Sequence, residues 1–143
     1  MGYVLMLLAD PGPPGQEIPD PGTPRAEVLA ILNAAPDLRV DGSRPDRYWL
    51  KVGEESAELN LGSKDPVGSI HLEFESDDPQ VMEAFALRAL ELAAALRMRV
   101  EDVLWGREVT REHLPELREF WRAQSRPEPA QPAAPPKPWW RFW

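Results

Sequence analysis

YWLKVGEESAELNLGSKDPVGSIHLEF, residues 48–74, alternates apolar and polar side chains in three short runs. Tyr48, Leu50 and Val52 fall on one side of an extended chain, with Trp49 and Lys51 on the other. Ala57, Leu59 and Leu61 repeat that phase, and Ile70, Leu72 and Phe74 repeat it again. A period of two marks strands half buried against a core. Gly53–Ser56 and Gly62–Ser69 hold the turn-forming residues, so the three runs predict an antiparallel meander with one wet face. That face carries Trp49, Lys51, Glu58, Asn60, His71, Glu73 and Glu75.

On the N-terminal side, Tyr3–Leu8 is apolar without interruption, the pattern of a strand covered on both faces. Pro11-Gly12, Pro14-Gly15 and Pro21-Gly22 make Asp10–Thr23 a loop. Thr23-Pro24 has the form of a helix start, a hydroxyl to cap and a proline in the first turn. Val28, Leu29, Ile31, Leu32 and Ala35 then form a buried stripe that Pro36 ends. On the C-terminal side, Asp78-Pro79 opens the longest helix, which runs to about Arg97. Val81, Met82, Phe85, Ala86, Ala89, Leu90, Leu92, Ala93 and Leu96 lie on its apolar half, and Glu83, Arg88 and Glu91 on the other. Val100–Leu104 predicts a short strand and Gly106 a turn. A last helix begins at Thr110, or at Leu114 because Pro115 falls in the first turn. Strands outnumber helices and are mostly joined as hairpins. The class is α+β, a mainly antiparallel sheet with helices packed on one face.

Residues 1–122 are expected to form this single domain, followed by a Pro-rich flexible tail at 123–143. The spacer Arg126–Pro138 favours polyproline II and reaches roughly 40 Å at ~3.1 Å per residue. It leads to Trp139-Trp140-Arg141-Phe142-Trp143, which hold three of the six tryptophans. Such rings are costly to leave in water, roughly 1.5–3 kcal/mol each. They are therefore expected to dock on a protein groove, on this domain, or, less favourably, at a membrane interface.

The net charge of −8 is unevenly spread. Residues 123–143 hold Arg126, Lys137 and Arg141 against Glu128, which leaves −10 on residues 1–122. An acidic body repels phosphate backbones and draws basic proteins, so no nucleic-acid binding is expected. The absence of cysteine removes disulfides, thiolate metal sites and a Cys nucleophile. Tyr3–Ala9 is too short to span a bilayer and has no signal-like flanks, so cytoplasmic residence is expected. Thirteen arginines against three lysines is the usage of a GC-rich bacterial genome. No oligomeric state is indicated.

No cofactor motif is present. Prolines frame Gly12 and Gly15, removing the N–H donors a phosphate loop needs. His71 with Glu58, Glu73 and Glu75 resembles a metal or acid–base cluster, but on an open sheet face it reads as a solvated surface. His113, beside Glu112 and Glu116, is expected to be exposed. Asp78 is expected to be a helix cap, and Asp102 has no neighbouring residues that complete a site. No catalytic residue and no metal ligand is therefore assigned. Two surfaces favour binding instead. One is the acidic sheet face with Glu54, Glu55, Glu58, Glu73 and Glu75, in which Trp49 is either an aromatic anchor or covered by the loop or tail. The other is the tail, with Trp139, Trp140, Phe142 and Trp143.

From Gly68 to Trp121 the chain resembles small bacterial immunity proteins that neutralise toxins. Ile70-His71-Leu72-Glu73-Phe74, Asp78-Pro79, Leu90, Ala93, Leu96, Val100-Glu101-Asp102 and Gly106-Arg107-Glu108-Val109-Thr110 carry the likeness. Uncharacterised bacterial α+β domains are similar in the same spacing. The resemblance implies a small acidic cytosolic protein that occludes its target, with no catalytic residues. The sequence thus predicts a non-enzymatic module binding a basic protein through its acidic sheet face. The alternatives are an adaptor docking through its Trp-rich segment and an enzyme using the His71 cluster.

Overall fold

The alternating runs form β3 (Arg44–Val52), β4 (Glu55–Asn60) and β5 (Ser69–Glu75), hydrogen-bonded in sequence order. The computed structural model describes residues 2–16, 19 and 21–125. β1 (Gly2–Ala9) lies on the far side of β5, antiparallel to it, and β6 (Met98–Asp102) lies beyond β1. Two short strands close the edges, β2 (Leu38–Asp41) beside β3 and β7 (Arg107–Val109) beside β6. The result is a seven-stranded antiparallel sheet in the order β2-β3-β4-β5-β1-β6-β7.

Three helices, α1 (Arg25–Ala34), α2 (Pro79–Leu96) and α3 (Leu114–Ser125), pack on one face. The core forms between them and the inward residues of the strands. β1 alone buries Tyr3, Leu5 and Leu7, worth roughly 1.5–3 kcal/mol each. α2 supplies Met82, Phe85, Ala86, Ala89 and Leu96, the stripe its periodicity predicts. α3 adds Leu117 and Trp121, whose ring meets Tyr3 and Phe74 at 5.9 Å each.

Several local expectations are corrected. β1 is central but covered on one side only: Val4, Met6 and Leu8 face outward, each half-buried, and no described helix covers them. Its continuous apolar run reflects a half-open central strand. Thr23 does not cap α1. Its hydroxyl donates to the Leu96 carbonyl at 2.8 Å, at the end of α2, while the Arg25 N–H of α1 finds Asp65 Oδ1 at 3.0 Å. The cap is thus supplied from a distant loop. Asp78 caps α2 as expected, accepting from the Gln80 N–H at 2.9 Å. β6 starts and ends two residues earlier than predicted: Met98 is its first inward position and the polar Asp102 its last, and Val103 and Leu104 fall in the exposed turn that follows. Thr110 precedes a single 3-10 turn, and α3 proper begins at Leu114. That helix runs through Ser125, three residues into the span assigned to the tail. The remainder of the tail, including Trp139, Trp140, Phe142 and Trp143, lies outside the described residues.

The Asp10–Thr23 loop is fastened by Thr23 and Val67, which exchange backbone hydrogen bonds of 3.0 and 2.8 Å. The two segments touch so closely that a Cβ on Gly22 would sit 2.6 Å from the Val67 carbonyl oxygen. Only glycine fits there.

Candidate functional site

The outer face of the sheet takes its residues from the polar phase of each strand. Trp49 is opposite Glu58, Glu58 opposite Glu73, and Glu73 opposite Val4. One step along, Glu75 is opposite Gly2; two residues back, His71 stands between Asn60 and Met6. The register therefore brings together Trp49, Glu58, Glu73 and Glu75, four of the six residues the sequence assigns to the acidic sheet face. They line a shallow cavity of about 320 Å³ with Gly2, Ser56 and Phe74.

Trp49 is 38% exposed, so the described part of the Asp10–Thr23 loop leaves it open to solvent. Its indole N–H donates to Asp41 Oδ2 at 3.2 Å, and the Arg47 guanidinium lies 6.0 Å from its ring centre. Asp41 also accepts from the hydroxyl and backbone N–H of Ser43. These bonds and that from Trp49 hold its carboxyl below the usual carboxylate range, the Ser43 hydroxyl contributing most. The hydrogen bond favours one orientation of the ring, and any ordering present before a ligand arrives lowers the entropic cost of binding.

The charges divide on either side of this ring. Arg47 pairs with Glu58 at 3.0 Å and neutralises it. Glu73 and Glu75 are exposed, with no ion-pair partner among the described residues. On the other side of Trp49, Arg39 and Lys51 line a second cavity of about 430 Å³ with Asp37. The ring is therefore a boundary between a cationic and an acidic patch rather than the centre of an acidic ring. Glu55 does not join the acidic patch. It lies in phase with Ala57 and accepts from the buried Ser76 hydroxyl at 3.0 Å.

Apolar surface completes the face. Val4 and Met6 adjoin Glu73 and His71 along β1. At the same end of the sheet, the β6–β7 turn exposes Val103 (54%) and Leu104 (50%), and the Val103 N–H bonds the Val4 carbonyl at 3.1 Å. Asp102 holds this turn rigid. It is buried, and its carboxylate accepts from the backbone N–H of Leu104 and Trp105 and from the Trp121 indole at 2.9–3.0 Å. Asp102 is thus a brace whose partners lie in the following turn and on α3, out of reach of sequence inspection. Trp105 packs against Phe120 and under Arg107, whose guanidinium lies 4.4 Å from the ring centre.

The histidines form no site with the carboxylates. His71 is exposed and lines neither cavity beside Trp49. Among the described residues no group of three or more His, Asp or Glu side chains is placed to hold a metal ion. His113 is half-buried rather than exposed, because the Trp105 ring packs edge-on against it at 6.4 Å. No described helix is long and apolar enough to cross a membrane. No family model matches this chain, and neither a curated protein nor a solved structure matches it.

Proposed function

We propose that this chain is a non-enzymatic protein-binding module, immunity-like in its mode of action, whose outer sheet face engages a cationic segment of a partner in the cytoplasm. One observation carries the reading. Among the described residues Glu73 and Glu75 have no ion-pair partner, and they stand on a sheet face that no described helix covers, between Trp49 and the apolar Val4–Met6 strip. Glu58 and Glu73 are directly opposite, an arrangement that costs a sheet about 0.2–1 kcal/mol when both are charged. Arg47 compensates the charge of Glu58, which leaves Glu73 and Glu75 for a partner's arginine or lysine, and an indole between charged and apolar surface is the usual make-up of an interface hot spot. Long-range attraction from the acidic body accelerates encounter.

The test is capture of partners from the native cell by the full chain, compared with the Glu73→Lys/Glu75→Lys double variant. The proposal expects a captured protein that is lost on charge reversal and associates more slowly as salt is added. Trp49→Ala should weaken the same complex roughly thirtyfold, matching about 2 kcal/mol for a hot-spot ring. Capture that is indifferent to both changes refutes the proposal.

A further inference from the structure

We propose that residues 137–143 of this same chain, Lys-Pro-Trp-Trp-Arg-Phe-Trp, are a built-in competing ligand for the Trp49–Glu73–Glu75 face. The inference rests on the reading of that face as the binding surface, and it adds the regulation of access to it.

Three observations support it. The first is where the chain leaves the domain. Trp121 packs on Tyr3 and Phe74, the immediate neighbours of Gly2 and Glu75, so α3 passes directly behind the acidic end of the face. Ser125, the last described residue, follows Trp121 by about one helical turn, so the described chain leaves off near that end. The second is reach. β3, which carries Trp49, is three strand positions from β1, about 14 Å at ~4.8 Å per strand. The thirteen residues Arg126–Pro138 span up to roughly 40 Å, ample for the return path. The third is chemistry. Lys137 and Arg141 match the unpaired Glu73 and Glu75, and the interleaved aromatic rings match Trp49 and the Val4–Met6 strip.

Tethering makes a modest intrinsic affinity sufficient. A short linker presents its cargo at an effective concentration on the order of 1 mM. A segment binding with a Kd of about 100 µM then covers the face roughly nine-tenths of the time. A partner competing for the covered face binds about tenfold more weakly than it binds the open one.

The chain has no cysteine, so Pro138→Cys in the full chain accepts a single nitroxide label. The backbone amides of Glu58, Glu73 and Glu75 should then lose about half their NMR intensity or more, while those of α1 keep theirs. Glu73→Gln/Glu75→Gln and, separately, Lys137→Glu/Arg141→Glu should each restore the lost intensity. The Lys137→Glu/Arg141→Glu variant should also bind the captured partner about tenfold more tightly than the unaltered chain. Unbroadened outer-face amides overturn the inference. So does broadening in a mixture of labelled ¹⁴N chain and unlabelled ¹⁵N chain, because the occupant is then a second copy. If the amides stay sharp while Glu73→Lys/Glu75→Lys still abolishes capture, the binding-face reading stands and the competing ligand falls. If the amides broaden but capture ignores the charge reversal, the binding-face reading falls and the tail contact is internal packing alone.

Discussion

The two faces of the sheet are built from the same strands and obey different rules. On β1, Tyr3, Leu5 and Leu7 are sealed under helices, while Val4, Met6 and Leu8 between them stay half-open. On β4 and β5, Leu59 and Leu72 meet in the core, and one residue away Glu58 and Glu73 meet in solvent. The covered face brings apolar residues together across the strands, such as Leu5 opposite Leu72 and Val100 opposite Val109. The open face carries two like-charged cross-strand pairs, Glu58–Glu73 and Glu101–Glu108, which sheet stability does not require. Residues that serve the core and residues free of that duty therefore alternate along one strand.

The largest expected contrast is between neighbours on β1. Leu5→Ala should cost about 2–5 kcal/mol, since the site is fully buried and collapses incompletely. Met6→Ala, one residue along, should cost less than about 1 kcal/mol. Urea midpoints at unchanged slope measure both, and equal losses would break the distinction between the faces. Next in size is Asp102→Ala. It strands the Trp121 indole and two backbone N–H groups, and a loss of about 3 kcal/mol is expected by the same measurement.

At the rim, Arg88 of α2 grips Asp37 with two hydrogen bonds, joining the helix layer to the start of β2. This hydrogen bonding holds the Asp37 carboxyl below its ordinary range. The ionised group therefore stabilises the fold above its unfolded value of about 3.9, and the contribution is lost as pH falls through the lower folded value. Arg88→Gln should thus be less stable than the unaltered chain by about 1 kcal/mol at neutral pH, discounted for solvent screening. The gap should close as the pH drops from about 4 downward, followed by thermal melting at a series of pH values. The smallest effect belongs to the open face. Glu73→Gln should leave stability unchanged or raise it by up to about 0.5 kcal/mol, while weakening partner capture. A clear loss of stability would show that Glu73 serves the fold.

Period-two alternation made β3, β4 and β5 legible, and with them the residues that share the outer face. Apolar count misled at β1, because a central strand with a half-open face looks like one covered twice. β2 and β7 are too short, at four and three residues, for alternation to register. The setting of Trp49 was legible only in part. Its place on the face follows from Leu50, but Asp41 reaches its indole across a hairpin whose register slips at Val40 and Asp41. The brace at Asp102 and the aromatic packing of Trp105 with His113 and Phe120 depend on α3 folding back. No local pattern announces that contact.

The place of β1 also bears on biosynthesis. The most apolar strand precedes the other six along the chain, yet its hydrogen-bonding neighbours, β5 and β6, emerge only after β2, β3 and β4. Until then a nascent chain displays a sticky ribbon with both edges unpaired, a state in which aggregation competes with pairing. Val4, Met6 and Leu8 stay only half-buried after folding, so part of the apolar surface that endangers the nascent chain persists in the finished molecule.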